Sequence, residues 1–302
     1  MTSPKHATST SRGRYYTRPG TGEQLISITN ALSVGCAKPA LVPWAAKIVA
    51  EHAITNLPTL VTQTRTNRDQ ALRDLKNEVT VARDKAADLG TRIHALAEAH
   101  VTGAAAADDP EAAPYVRQYE KFLTDYSIDI TRDIEAAELT VADVQAGYAG
   151  TADLHIRLPF DGFIPGTTAK RVDDHSQRRI TIVDIKTSAT RPAASVYGEY
   201  ALQLTALRYA REAWLPNGDI IPAPGPIVGT AILNLRRNTY ELIPVPSGHT
   251  ERDAWIGVLT YAKWAHDVGH SINGGECRPI TPTGRAKPKR TRSTTTKPED
   301  TA

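Results

Sequence analysis

The stretch ITIVDIKTSAT, Ile180 to Thr190, opens as a β-branched run of the kind that packs inside a sheet. Two opposite charges, Asp184 and Lys186, interrupt it with one apolar residue between them. A strand alternates faces with period two, so both side chains project from the same face. An unpaired buried charge is costly. The pair is therefore either a structural ion pair along the strand or part of a site, and on the tripeptide alone both readings stand.

Working outward, the segment ELTVADVQAGYAGTADLHIRL upstream is also strand-like, and a polar connection from Pro159 to Arg179 links it to Ile180. Its Gly, Pro and Asp residues are turn signals. Downstream, SVYGEYALQLTALRYAREAWL reads as a helix ended by Pro216-Asn217-Gly218. IVGTAILNLRR and TYELIPV then read as a hairpin about Arg237-Asn238, and HTERDAWIGVLTYAKWAHDVGH as a final helix. Before the strands, Thr64 to Thr102 is proline-free and rich in Ala, Leu, Arg, Asp and Glu, with Gly90 as a break or a close contact. YVRQYEKFLTDYSIDI forms a further amphipathic helix.

Helices followed by strand–strand–helix–strand predict an α+β fold, a mixed sheet flanked by helices with a helical subdomain in front. The expected organisation is a disordered basic N-terminus over 1–24, a helical part over 25–135, a core over 136–273 and a disordered basic tail over 274–302.

The 302 residues are 40% hydrophobic and 23% charged, an ordinary globular composition. No run of about eighteen apolar residues predicts a membrane span, and the N-terminus lacks the apolar stretch of a secretory signal. Cys36 and Cys277 lie far apart and cannot form a four-cysteine iron–sulfur or zinc site. They fit a reducing cytoplasm.

The net charge of +3 is unevenly spread. Lys5, Arg12, Arg14 and Arg18 sit in an acid-free N-terminus, and the tail beyond Arg278 is strongly basic, so the body between them is mildly acidic. Basic ends serve as solubilising tails or as polyanion contacts.

Asp153 lies at the centre of the strand that precedes ITIVDIKT. Consecutive strands are usually neighbours, which brings Asp153 and Asp184 within reach of each other. Two converging carboxylates repel unless a cation lies between them, and hard oxygen donors suit Mg²⁺ or Mn²⁺. Lys186 then points into the same site, able to balance charge on a substrate. Metal activation of water beside a cation is the equipment of phosphodiester hydrolysis. Paired carboxylates also serve glycosidases, but that chemistry has no use for a lysine two residues from an acid.

GYAGTADL, IVDIKTS and YALQLTALRYA in this order, with GTRIHALAEAH upstream, resemble the PD-(D/E)xK nuclease superfamily, particularly its RecB-like phage exonuclease branch. The resemblance runs from about Leu25 to Pro246. It implies a restriction-endonuclease-like core and a Mg²⁺- or Mn²⁺-dependent DNA exonuclease of phage recombination, repair or replication, working in the host cytoplasm. DNA is the implied substrate, with a single-strand annealing or recombination protein as a partner and a homo-oligomer as an arrangement; no iron–sulfur cluster is implied.

By the same resemblance His94, Asp153, Asp184 and the Ile185 carbonyl hold the metal, Lys186 is the catalytic lysine, and Gln203 orients it or contacts DNA. Glu138 and Tyr200 are further candidates, and Lys170, Arg171, Arg178 and Arg179 are candidate phosphate contacts. The family's aromatic residue, four positions after the glutamine, is Leu207 here. Tyr209 is displaced by about 240° around the helix and cannot replace it. Leu207 favours the alternative of a non-catalytic DNA-binding accessory protein.

Overall fold

The computed structural model describes residues 5–105, 107–162 and 165–269, with positions 272, 277, 282 and 283. Apart from those positions, the expected disordered tail over 274–302 lies outside the described residues.

The sheet is built around β6 (Ile180–Thr187), whose first six residues are all buried. A strand covered on both faces has no need of polar alternation, which explains its continuous apolar run. It pairs antiparallel with β5 (Tyr148–Arg157) and parallel with β9 (Ile227–Leu235), which continues into β10 (Tyr240–Val245). On its other edge β5 pairs with β4 (Ile134–Asp143), and beyond β4 lie β7 (Glu212–Trp214) and β8 (Ile220–Pro222). The predicted α+β class is what forms: a mixed, open sheet of ten strands among the described residues, flanked by helices.

One helical layer is α4 (Arg68–Thr102) and α5 (Ala113–Asp125), whose Ile93, Ala97, Tyr119 and Phe122 pack on Leu154, Val183 and Ile185. The other comprises α1 (Ile28–Gly35), α6 (Gly198–Tyr209) and α7 (His249–Trp264), centred on Ile182, Leu204, Ile232 and Trp255. In front lie α2 (Leu41–Thr55) and α3 (Leu57–Thr66), which bury no residue of their own and lean on the N-terminal half of α4. The α4 helix begins at Asn67, whose side chain accepts from the Gln70 N–H, and stops at Gly103, whose φ of +69° supplies the left-handed cap. It runs unbroken through Gly90, where a Cβ would lie 3.3 Å from Thr187 Oγ1. The glycine serves a close approach to β6 and breaks nothing.

Two expectations are corrected. The N-terminus, expected to be disordered over 1–24, is built into the sheet over its described part: β1 (Ala7–Thr10) and β2 (Gly13–Thr17) form a hairpin, and β2 pairs with β3 (Gln24–Ser27) at the sheet edge. The anchor is Tyr16, 2% exposed, whose hydroxyl lies 2.8 Å from Thr151 Oγ1. Charge and polarity in this segment hid a β-branched alternation.

The helix expected to reach Leu215 ends at Tyr209. The next residues become β7 because pairing with β4 buries Trp214 in a pocket with Tyr16 and Leu25. Tertiary burial overrides local helix propensity there.

Candidate metal centre

The β5 strand has two partners on one edge. β3 pairs with it at Tyr148 and Ala149, and β6 takes over only at Leu154, opposite Val183. Between them, from Gly150 to Asp153, that edge carries no ladder, so the sheet forks. A Cβ at Gly150 would come within 2.5 Å of Ile28 Cδ1 and 3.3 Å of Leu207 Cδ2, so only glycine fits beside those side chains. Leu207 is thus a core residue, 3% exposed, packed under the fork. Tyr209 lies apart from the centre, stacked with Arg252 and His249.

Asp153 stands at the end of the fork. Its Oδ2 accepts the Ile185 backbone N–H at 2.6 Å and lies 3.5 Å from His94 Nδ1. The same imidazole nitrogen is 3.8 Å from Glu138 Oε1 on β4. Each of the three side chains offers one ligand atom within 4.8 Å of the others. Glu138 has a φ of +48°, left-handed backbone in the middle of a strand. Such a conformation costs a non-glycine residue roughly 1–3 kcal/mol and persists where the surroundings impose it.

Asp184 and Lys186 face α6, as the strand period requires. Lys186 Nζ is 2.6 Å from Asp184 Oδ2, and Gln203 bridges the pair, accepting from Lys186 Nζ at 3.1 Å and donating to Asp184 Oδ1 at 2.7 Å. Tyr200, one turn before Gln203, places its ring centroid 5.1 Å from the ammonium. Asp184 Oδ2 is buried and the Lys186 ammonium, 2.6 Å away, is the partner it meets.

These placements set the charges. Burial opposes the imidazolium of His94, but the Asp153 and Glu138 carboxylates outweigh it and hold its pKa well above the ordinary range. Burial likewise opposes the Asp153 carboxylate, and His94, Lys186 and the Ile185 N–H reverse the sign, lowering its pKa. For Glu138 and Asp184 burial prevails over the neighbouring cations and both pKa values rise. Lys186 is pushed down by burial and further up by Asp184 and Asp153, so it stays charged. The nitrogen and two carboxylate oxygens of His94, Glu138 and Asp153 could together hold a metal ion.

Of the expected ligand set only His94 and Asp153 stand in this group, and the expected Ile185 carbonyl ligand is corrected, because that residue turns its N–H to Asp153. Glu138, read only as a further candidate, stands in the tight group with His94 and Asp153, whereas Asp184 is engaged by Lys186 and Gln203. Ile185 enters through its N–H.

The basic loop is another matter. Arg178 is 2% exposed and pairs with Asp133 at 3.0 Å, so it is a structural residue and not a phosphate contact. Arg171 pairs with Asp173 at 3.3 Å. Lys170 and Arg179 are exposed but belong to the connection at the far end of β6, where Arg179 is five residues or roughly 16 Å of strand from Asp184.

Sequence reading missed Tyr119, a buried phenol on α5 raised first by burial and then by the Asp153 charge. An aromatic on an amphipathic helix gives no signal of such a position. It also missed Arg236, 7% exposed, which donates to the Arg191, Pro192 and Leu235 carbonyls. The Arg236-Arg237 pair at a hairpin turn beside β6 was the available clue.

Among the described residues no helix is long and apolar enough to cross a membrane. No protein-family model matches the chain, and no curated protein matches it. Among solved structures, the crystal structure of SSO0001 is similar at a TM-score of 0.28 and 11% identity, over 80% of this chain and 95% of that one. A likeness at that level carries no argument about fold or chemistry.

Proposed function

We propose that this chain is a metal-dependent deoxyribonuclease, acting as an exonuclease on DNA. The observation that carries the reading is the meeting of His94, Glu138 and Asp153 at the fork, directly beside the Asp184–Lys186–Gln203 triangle. The order of these residues along the chain, which resembles the PD-(D/E)xK nucleases, supports the same reading.

His94, Glu138 and Asp153 would hold a divalent cation, which would supply activated water and neutralise phosphate charge. His94 must give up its proton to serve as a ligand, and the two carboxylates that stabilise that proton are the groups a cation would compensate instead. Lys186 keeps its charge throughout and presents it to a phosphate oxygen, where negative charge grows in the transition state. Gln203 and Asp184 hold the ammonium in place, and Tyr200 covers one side of it. Ile185 fixes the Asp153 carboxylate through its backbone N–H, so the ligand oxygen is aligned before substrate arrives.

The test is digestion of end-labelled linear DNA by the purified chain in Mg²⁺, Mn²⁺ and EDTA. Shortening from one end in either metal and none in EDTA is expected; digestion that survives EDTA, or that survives Asp153→Asn, overturns the reading.

A further inference from the structure

Beyond Lys186 the chain leaves β6 and runs along the floor of an open cleft of about 760 Å³, between the β6–α6 loop and the β9–β10 turn. Four arginines border it: Arg117 from α5, Arg191 from the loop, and Arg236 and Arg237 from the turn. No acidic residue lines the cleft, and none of the four arginines pairs with a carboxylate among the described residues. Arg18, Arg92 and Arg157 elsewhere in the molecule are by contrast held by Asp or Glu.

The cleft is rigidly built. Arg236 spends its donors on the carbonyls of Arg191, Pro192 and Leu235. Asn234, 1% exposed, donates to Ala193 and Ser195 at 2.6 and 2.8 Å, fixing the rest of the loop. A buried guanidinium with only carbonyl partners keeps its full positive charge, and the exposed Arg117, Arg191 and Arg237 add three more around it.

The cleft is also joined to the metal centre. Arg191 stacks on Tyr197 at 5.0 Å, Tyr197 packs edge-on against Tyr200 at 5.4 Å, and Tyr200 covers Lys186 at 5.1 Å. Ala189, the first cleft residue of the loop, follows Lys186 by three residues, at most roughly 10 Å of extended chain.

We propose that this arginine cleft is a phosphate-anchoring subsite, holding phosphate of the nucleic-acid strand a short distance from the bond at the metal centre. The proposal rests on the nuclease reading for its substrate. Phosphate oxygens match guanidinium geometry, often two bonds at a time. The same chemistry accommodates a terminal 5′-phosphate or an internal phosphodiester.

The experiment measures binding of the full chain to a fluorescent single-stranded oligonucleotide by anisotropy in EDTA, with 5′-phosphorylated and 5′-hydroxyl versions. Arg191→Gln/Arg237→Gln, both exposed positions, is expected to weaken binding about tenfold or more and to flatten the salt dependence by about 1.4 in log–log slope. Its Mn²⁺ affinity and thermal midpoint stay as in the wild type. Arg211→Gln/Arg252→Gln, beside the β4–β5 turn, removes the same charge and is expected to change binding less than twofold.

A loss confined to 5′-phosphorylated strands assigns the cleft to the terminus, and an equal loss on both assigns it to internal phosphates. Equal weakening by the two double variants, wild-type binding by the cleft variant, or no binding by the wild type overturns the proposal. Parallel digestion in Mg²⁺ separates the two claims. A wild type that binds through the cleft and leaves DNA intact sinks the nuclease reading alone, whereas one that digests DNA while the cleft variant binds normally sinks the cleft alone.

Discussion

Asp153 and Asp184 are the same residue type, on adjacent strands, at similar depth, yet they are partnered in opposite ways. Asp184 is neutralised by Lys186, a cation that burial does not discharge, and is held there by Gln203. Asp153 and its neighbour Glu138 are neutralised by His94, a cation only while protonated. The first arrangement is permanent and leaves little room for a metal. The second is provisional, because deprotonation of His94 turns a counter-ion into a ligand. The pair shows that two carboxylates in one site are told apart by whether their partner can surrender its charge.

The sharpest way to break this comparison is Asp153→Asn. It is expected to lower the digestion rate by roughly 10³-fold or more and to weaken Mn²⁺ binding measured by calorimetry. Asp184→Asn with an equal loss of Mn²⁺ affinity would erase the distinction. Next comes Lys186→Met, expected to cost about 10²–10³-fold in turnover while Mn²⁺ binding is kept, since the lysine belongs to the permanent pair.

Glu138 gives a finer probe. Glu138→Gly suits the φ of +48° and should leave the thermal midpoint unlowered, while Mn²⁺ affinity drops about 10–100-fold. A midpoint that falls with it would mean that the side chain is there for stability and not for a cation.

The smallest effect concerns His155, a buried histidine on β5. Among the described residues it makes no ion pair with a carboxylate, and burial, against a smaller opposing effect of the Glu135 charge, lowers its pKa to about 4. The unfolded chain binds the proton first as pH falls, so stability is lost from about pH 6.5 down to about 4, by at most about 3 kcal/mol. His155→Leu should flatten that part of the urea-unfolding profile relative to the wild type.

Much of this was legible in the sequence because strand periodicity is strict. Asp184 and Lys186 on one face and the Asp153 strand as neighbour came from spacing, whereas His94 on the long helix and Gln203 on the following one came only from the order of motifs that resembles the PD-(D/E)xK nucleases. The role of Glu138 did not, because a left-handed residue inside a strand has no signature when the residue is not glycine. The N-terminal hairpin was hidden by polar composition, its anchor Tyr16 being one of two adjacent tyrosines flanked by arginines. Arg178 looked like its neighbours in a basic loop, and its ion partner Asp133 lies 45 residues away, beyond the reach of any local pattern. Leu207 looked like a departure at the site and is instead the side chain that fills the space Gly150 leaves.

The fork in β5 has a mechanical meaning as well. A continuous sheet is a partition, and side chains on its two sides do not meet. At Gly150–Asp153 the partition has a window, through which a histidine of the α4 layer reaches a carboxylate neighbouring the lysine that faces the α6 layer. The spacing of the two helical layers is thereby written into the centre: a small slide of α4 against the sheet moves His94 off Asp153, while Lys186 and Gln203 stay in register. The α4 helix that carries the imidazole is a single rod of 35 residues, and α2 and α3 pack against it.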